Sequence, residues 1–347
     1  MSDPVITDVR VIDYPQESMP GDDTAFVAVH AGGHTGWYGP VSARCSTLLR
    51  KSASRAVGVS VTDHDGPRRR LSAAYGEPED KALSWAIGAL DCAVWDLRGR
   101  IAGYPVAHLL SSAEPRQSVP AYFSWLSQEL TAFPHDHIRC VQSGGWALTK
   151  WGLRSTRLLD PEAEAISLAH AVEQAAESAR GRLAVDAVRT WNAELVRAFM
   201  NRVDPSALYW LEDPLPHHDL HTYGALSAAG VPLAVGELLR YSSDHQELLT
   251  RVRPSALAID VVGCGGLTQA VRILATACES GIPVYPHGRS LTPALHLAAA
   301  FPDTVAAVEY RHQWEPRRQR RYLNPVTPRQ GRLSHASVPG LGTAPRS

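Results

Sequence analysis

The sequence lacks the features that would place this protein in a membrane, in an oxidising compartment or on nucleic acid. No apolar run approaches about 18 residues, and the start, MSDPVITDVR, lacks the basic and apolar regions of a signal peptide. The formal net charge of −1 gives no electrostatic reason to bind nucleic acid or an anionic membrane. The five cysteines are widely spaced and not in metal-ligand spacing, so we expect reduced thiols. These absences predict a cytoplasmic protein without nucleic-acid or membrane partners.

Lysine is also scarce in this chain. Lys and Arg together number 34, but only Lys51, Lys81 and Lys150 are lysines. Lys150 belongs to the stretch WALTKWGL, whose apolar residues alternate as they do in a strand, and Gly152 follows two residues later. We expect a compact ammonium to fit at such a strand end better than a bulky guanidinium. Lys150 is therefore a candidate functional residue.

The first 115 residues are predicted to form an α+β domain. VITDVRVIDY and TAFVAVHAGG have the pattern of strands, and the polar segment 16–23 has that of a loop between them. A helix is predicted at about 80–101, ended by Gly103 and Pro105. Its apolar residues share one helical face: Leu83, Ile87, Leu90, Val94, Leu97 and Ile101.

From residue 116 to 312 the pattern changes to short apolar strands that alternate with helix signals. Asp160–Pro161 begins one predicted helix and Asn192 another. Eight strands are predicted, beginning at residues 119, 146, 182, 207, 232, 256, 283 and 306. The count of eight favours an α/β fold of the (β/α)8-barrel type over an open doubly wound sheet. The absence of a G-x-G-x-x-G motif after the first strand also speaks against the doubly wound sheet. We expect residues 313–347 to return to the N-terminal domain.

An ionisable residue stands at the C-terminal end of seven consecutive predicted strands, one βα unit apart. These residues are Lys150, Asp186, Glu212, Glu237, Asp260, His287 and Glu309. Any one of them alone would ordinarily be a helix cap, a turn residue or a salt-bridge partner. In a barrel, however, all seven converge on one mouth, where active sites are built. The register of the set therefore favours an active site.

Two groups within this set have recognisable chemistry. Asp186, Glu212 and Glu237 offer clustered carboxylates, which suit Mg²⁺ better than Zn²⁺, although an ion-pair network with arginines is an alternative. On neighbouring strands, Asp260 can hold one imidazole nitrogen of His287 and leave the other for proton transfer. Across the mouth, Lys150 could bind a substrate carboxylate.

Several segments of the chain resemble the enolase superfamily, mandelate racemase subgroup. They are ALSWAIGALDCAVWDLRGRIAGYPVAHLL, VDAV, WLEDP, AVGE, AIDVVGCGGLTQA, VYPHGRS, VEY and GRLSHASVPGLG. The resemblance implies an N-terminal capping domain on a modified barrel, a homo-oligomer, and Mg²⁺-assisted removal of a proton next to a carboxylate. It assigns the metal to Asp186, Glu212 and Glu237, the Asp–His dyad to Asp260 and His287, and it places Glu309 beside the substrate carboxylate.

Two departures from the family pattern refine the predicted reaction. The family often has Lys-x-Lys on the second strand, where the second lysine is a base; here Lys150 is followed by Gly152 at that position. The usual Asp-x-Asn reads Asp186-Ala187-Val188. With one base, His287, we expect a dehydratase of an acid sugar, an aldonate or aldarate, selected by segments 16–23 and 38–50. The alternatives are a racemase or epimerase with another second base, or a catalytically silent barrel that binds metal and ligand.

Overall fold

An antiparallel sheet opens the fold. The computed structural model describes residues 3–14, 24–75, 81–132, 135–155 and 160–346, so the predicted loop 16–23 lies outside the described residues. Strands β1 (Asp8–Asp13), β2 (Ala25–Ala31) and β3 (His34–Val41) form a sheet in the order β1-β2-β3. Nearly every residue of β2 is buried, as expected for a central strand with both faces covered.

In the described residues, four α-helices lie between this sheet and the first barrel strand: α1 (Ala43–Ser52), α2 (Gly66–Tyr75), α3 (Lys81–Ala102) and α4 (Val106–Leu110). The predicted helix at 80–101 is confirmed by α3, and Gly103 ends it in a left-handed conformation with φ of 77°. The buried surface of α3 is wider than the single apolar face predicted from the sequence, because residues on nearly all sides of the helix are buried. Buried Asp96 accepts from the backbone of Trp37 and Leu341, while Asp91 accepts from Thr268. Helix α3 thus joins the sheet to the rest of the chain.

The (β/α) barrel begins at residue 119. Its parallel strands are β4 (Val119–Glu129), β5 (Thr149–Gly152), β6 (Leu183–Asp186), β7 (Leu208–Glu212), β8 (Leu233–Val235), β9 (Ala256–Leu257) and β10 (Val308–Arg311). The intervening helices are α5 (His135–Gln142), α6 (Pro161–Ala179), α7 (Ala193–Met200), α8 (Leu220–Ala228), α9 (Tyr241–Arg251), α10 (Leu267–Glu279) and α11 (Leu291–Ala300). Asp160 and Asn192 cap α6 and α7 as predicted.

The predicted strand at 283–288 is wrong in length. Only Val284 makes parallel bridges there, to Leu257 on one side and Val305 on the other. Pro283 and Pro286 lie on either side of this segment, and proline has no backbone N–H to donate to a neighbouring strand. These two bridges nevertheless connect β9 to the segment just before β10.

A layer of side chains fills the barrel interior beneath its mouth. Three aromatic residues, Tyr122, Trp210 and Tyr285, contact one another with ring centroids 4.7 to 6.0 Å apart. Leucine and alanine complete the layer: Leu148, Ala184, Ala234, Ala256 and Ala307. Because small residues face large ones, the interior is packed rather than open, and any ligand must bind above this layer.

The C-terminal segment contacts both the sheet and the barrel. It contains α12 (Glu315–Gln319) and β11 (Arg332–Leu333), which pairs antiparallel with the start of β4. Tyr322 donates to Gly39 O and Thr343 to Trp37 O, each at 2.6 Å. The predicted domain boundaries near residues 115 and 312 stay predictions. No helix of the described residues is both long enough and apolar enough to cross a membrane.

Candidate active site

All seven predicted site residues lie at the C-terminal end of the barrel. Four are in strands: Lys150 in β5, Asp186 in β6, Glu212 in β7 and Glu309 in β10. The other three follow their strands directly: Glu237 after β8, Asp260 after β9 and His287 after the Val284 bridge. Contacts of 3.8 Å or less connect all seven into one network of ionisable groups, of which all but the half-buried Glu237 are buried.

Lys150 lies deeper in the barrel than the sequence indicated. Its side chain is fully buried, and Nζ lies 2.5 Å from Glu212 Oε1, 3.1 Å from Glu309 Oε1 and 3.8 Å from Asp186 Oδ2. Burial alone would lower the pKa of Lys150, but Glu212 and Glu309 raise it well above its usual value. The ammonium therefore lies among three carboxylates at the base of the mouth and offsets part of their negative charge. Its contact with a substrate carboxylate stays a prediction.

His287 lies between three carboxylates. Its Nδ1 is 3.4 Å from Asp260 Oδ2, and its Nε2 is 3.6 Å from both Glu237 Oε1 and Glu309 Oε2. Because Asp260 faces Nδ1, it favours the tautomer that carries the proton there and leaves Nε2 facing the mouth.

Asp260 is itself held rigidly. Its Oδ1 accepts from Ser290 Oγ at 2.5 Å, Gly263 N at 2.8 Å and Val262 N at 3.1 Å. Burial alone would raise its pKa, but His287, Ser290 and the backbone donor Gly263 lower the pKa of Asp260 below its usual value. The carboxylate therefore stays ionised and can stabilise a positive charge on the imidazole.

Asp186, Glu212 and Glu237 form a set of oxygen donors from three neighbouring strands. Burial raises the pKa of Asp186 and raises that of Glu212 well above its usual value, so ionising these two without a cation is costly. Burial alone would also raise the pKa of Glu237, but the neighbouring His287 lowers it below its usual value. Glu212 already accepts from Lys150 and Trp210, but a carboxylate has lone pairs for further ligands. Among the described residues no three such side chains already enclose a metal position. The chemistry of the donors, hard and anionic, nevertheless fits Mg²⁺.

The side of the mouth across from the dyad is organised differently. A bulge shifts the pairing of β4 and β5 so that Glu129 lies beside Gly152. Arg154 donates from its backbone N to Glu129 Oε2 at 2.9 Å, and its Nη1 donates to Glu129 Oε1 and to Leu126 O. A Cβ at position 152 would lie 2.8 Å from Leu126 O and 2.9 Å from Glu129 Oε1. Gly152 thus makes room for an ion pair where a second base would start.

Comparison with known families identifies the family to which the barrel belongs. Residues 137–347, more than half of the chain, match the family described as Enolase C-terminal domain-like. The chain belongs to this family. The fold class predicted from the sequence is thereby confirmed, with an α/β barrel of the enolase type and an N-terminal antiparallel sheet.

Named relatives of this enolase-like chain carry out two kinds of reaction. L-talarate/galactarate dehydratase of Salmonella typhimurium is 28% identical over 221 residues, which are 62% of this chain and 53% of that protein. The chain thus spans about half the length of that relative. Hydrophobic dipeptide epimerase of Roseobacter litoralis is 27% identical over 274 residues, 76% of this chain and 74% of that protein.

A solved structure of a relative matches nearly the whole chain. It is L-talarate dehydratase from Polaromonas sp. JS666, complexed with Mg and L-glucarate. It is 25% identical, covers 99% of this chain and 95% of its own, and has a TM-score of 0.79. The likeness therefore includes the N-terminal sheet as well as the barrel.

Two features beside the predicted metal ligands were missed by the sequence analysis. Burial and the neighbouring Glu237 raise the pKa of Asp213 to about 8, and its Oδ2 lies 3.5 Å from Arg189 Nη1. The motif WLEDP contained this residue, but only its glutamate was chosen. Val188 adopts φ of 50°, a conformation that β-branched residues avoid, and donates its N–H to Asp186 Oδ1 at 2.8 Å. The Asn of the family pattern would adopt this conformation readily.

Proposed function

We propose that this enolase-like chain dehydrates a sugar acid, an aldonate or aldarate, to a 2-keto-3-deoxy acid with the help of Mg²⁺. One observation carries the proposal: an Asp260–His287 pair faces the carboxylate set, while the position across from it is a glycine with no room for a base. A single base suits an elimination better than an inversion, which needs a base on each face of the α-carbon. The dehydratases among the relatives support the same reaction class.

In the proposed reaction His287 removes the α-proton. Its Nε2 is directed toward Glu237 and Glu309, where a substrate above the carboxylate set would present its α-carbon. Asp260, kept ionised by Ser290 and two backbone N–H groups, stabilises the imidazolium that results. His287 is thus the base, and Asp260 orients it and stabilises its positive charge.

The carboxylate set would hold the metal. Asp186, Glu212 and Glu237 are the proposed ligands, and bound Mg²⁺ supplies positive charge next to the carboxylate on which charge develops. Lys150 keeps Glu212 and Glu309 in place from below and adds a positive charge to the same region. Direct contact of Lys150 with the substrate carboxylate stays a prediction.

Loss of water completes the reaction. The electron pair of the broken C–H bond becomes the C=C bond, and the β-hydroxyl leaves with the proton that the His287 imidazolium returns. The resulting enol then tautomerises to the 2-keto acid. One imidazole can serve both steps when the α-proton and the β-hydroxyl lie on the same side, so the proposed elimination is syn.

The test is incubation of the protein with Mg²⁺ and a set of aldonates and aldarates in D₂O. We expect at least one acid to give a 2-keto-3-deoxy product, detected by a colorimetric keto-acid assay, and EDTA to abolish it. Deuterium at the α-carbon of recovered acid without keto product would instead support epimerisation. Binding of Mg²⁺ with neither outcome would leave a silent barrel.

Epimerisation is the second candidate, because one relative is a dipeptide epimerase. It would require a proton donor across from His287, and the groups found there are Glu129 and Arg154, joined in an ion pair. Both Glu129 oxygens accept from Arg154, so the carboxylate is not poised as a base. The geometry therefore favours elimination.

A further inference from the structure

Helix α3, which precedes the barrel, packs on residues 261–266, the dyad loop that connects Asp260 to α10. A Cβ at Gly88 would lie 2.0 Å from Val262 O and 2.9 Å from Gly266 N. The backbone of α3 can therefore approach the dyad loop this closely only because residue 88 has no side chain. Asp91 follows Gly88 by three residues, so it lies on the same face of α3 and its carboxylate reaches the end of the dyad loop.

Asp91 caps the N-terminus of α10 from α3. The first N–H groups of a helix have no partner within it, and the residue before α10, Gly266, has no side chain to accept from them. Asp91 Oδ2 accepts from Thr268 N at 3.0 Å, and Asp91 Oδ1 accepts from Thr268 Oγ1 at 2.6 Å. Thr268 Oγ1 in turn accepts from Trp95 Nε1 at 2.9 Å. Because Asp91 and Thr268 are buried, loss of the cap would leave a buried N–H without a partner.

The dyad loop is fixed at both of its ends. At the first end, Val262 and Gly263 donate their N–H groups to Asp260 Oδ1 at 3.1 and 2.8 Å. At the second end, a Cβ at Gly266 would lie 2.3 Å from Asp91 Oδ2, so the carboxylate fills the space beside the loop. Since only residues 261–266 separate Asp260 from α10, a shift of the helix N-terminus would displace the N–H groups that hold Asp260.

We propose that Asp91 is a positioning residue for the proposed catalytic pair: by capping α10 it holds the dyad loop in the conformation that places Asp260 beside His287. Asp260 Oδ2 and His287 Nδ1 are 3.4 Å apart, so a small displacement of the loop would weaken their interaction. This inference rests on the proposed function, in which Asp260 orients the base, and deepens it by adding a residue from a helix that precedes the barrel.

The experiment compares two buried aspartates of α3. Asp91→Ala removes the cap of α10, whereas Asp91→Asn keeps an acceptor oxygen for Thr268 N. Asp96→Ala is the matched control, because Asp96 is also buried but accepts from Trp37 N and Leu341 N, away from the dyad loop. Thr268→Val keeps the backbone N–H but removes the hydroxyl that donates to Asp91, and it replaces Asp91→Ala if that variant does not fold. Circular dichroism and thermal unfolding establish which variants fold.

Two quantities are measured for each variant. Hydrogen exchange with mass spectrometry follows the backbone N–H groups of residues 261–268, and steady-state kinetics give kcat and KM for an acid that the wild-type protein dehydrates. In Asp91→Ala we expect exchange about tenfold faster and kcat about tenfold lower, with KM within about twofold of wild type. Asp91→Asn should recover most of both quantities, and Asp96→Ala should leave both within about threefold of wild type. Thr268→Val should change both in the same direction as Asp91→Ala.

Four results would overturn the proposal. They are unchanged exchange in Asp91→Ala, faster exchange with unchanged kcat, an equal effect of Asp96→Ala, and an equal loss in Asp91→Asn. If the wild-type protein dehydrates no acid sugar, the proposed function fails on its own. Faster exchange of residues 261–268 in Asp91→Ala but not in Asp96→Ala would then still support the part of the proposal in which Asp91 holds the dyad loop.

Discussion

Each side of the barrel mouth places a carboxylate next to a nitrogen-containing side chain, but the two pairs differ in their chemistry. On one side, Asp260 and His287 lie 3.4 Å apart, and three hydrogen bonds fix the aspartate. On the other side, Glu129 and Arg154 neutralise each other beside Gly152. Both pairs join a carboxylate to a nitrogen base, yet only the imidazole can release and accept a proton near neutral pH.

The comparison shows that the atoms around a strand end determine which side chain it can carry, and therefore which chemistry it can support. Gly152 is paired with Asp186 in the ladder, so it lies at the level of the proposed metal ligands. A base there would be well placed, but the backbone oxygen of Leu126 occupies the space. The asymmetry between the two sides is therefore built into the backbone of β4.

The largest expected effect comes from removing the side that is proposed to transfer protons. His287→Asn should lower kcat by about a thousandfold or more, because a general base contributes about 10²–10⁴-fold and this one serves two steps. Arg154→Gln, on the opposite side, should lower kcat by no more than about tenfold. Rates of keto-acid formation for both variants make the measurement. A loss in Arg154→Gln as large as that in His287→Asn would show that the second side also transfers protons.

The second-largest expected effect concerns the side of the mouth that carries Gly152. Gly152→Ala should lower the free energy of unfolding by about 2 kcal/mol, since an added Cβ meets a backbone oxygen that cannot move aside. Gly181→Ala is the matched control, because nothing lies within 4 Å of a Cβ there. Denaturant unfolding of the two variants measures the difference. Equal stabilities would mean that position 152 is open, and the case against a second base would fail.

Much of this arrangement could be predicted from the sequence, because it depends on local pattern. The helix α3 was located to within a residue at each end by its apolar spacing and Gly103. The seven ionisable residues were found because each stands at the end of a predicted apolar strand, one βα unit apart, and parallel strands bring those ends together.

What could not be predicted depends on contacts between distant segments. The bulge in β4 that brings Glu129 to Gly152 follows from pairing, which no single strand reveals. The depth of Lys150 follows from Glu212 and Glu309, which are 62 and 159 residues further along the chain. The position of α12 near Val262 and Arg289 depends on the return of the C-terminal segment to the barrel. Side-chain partners of this kind are set by tertiary packing rather than by periodicity.

A smaller effect should come from removing a hydrogen bond to Asp260, the proposed partner of His287. Ser290→Ala removes the 2.5 Å hydrogen bond to Asp260 while Val262 and Gly263 still donate to it. We expect kcat to fall by about tenfold with KM nearly unchanged, since one charge-assisted hydrogen bond is lost. Thr292→Val is the control, because this buried hydroxyl has no hydrogen-bond partner among the described residues. A shift in the pH profile of kcat in Ser290→Ala alone would identify Ser290 as a positioning residue, and an equal loss in both variants would indicate general disruption.

The smallest expected effect concerns the turn that follows β6. Val188 follows β6 with φ of 50°, where a β-branched side chain is strained and asparagine is not. Val188→Asn should therefore raise the free energy of unfolding by about 1 kcal/mol, seen as an increase of about 2 °C in Tm. Its N–H would still donate to Asp186, so Mg²⁺ binding should be kept or improved. Val188→Ala, which relieves the branching but not the left-handed conformation, should give a smaller gain. If neither substitution stabilises the protein, the turn is not strained, and the residue that replaced the family's asparagine carries no cost in stability.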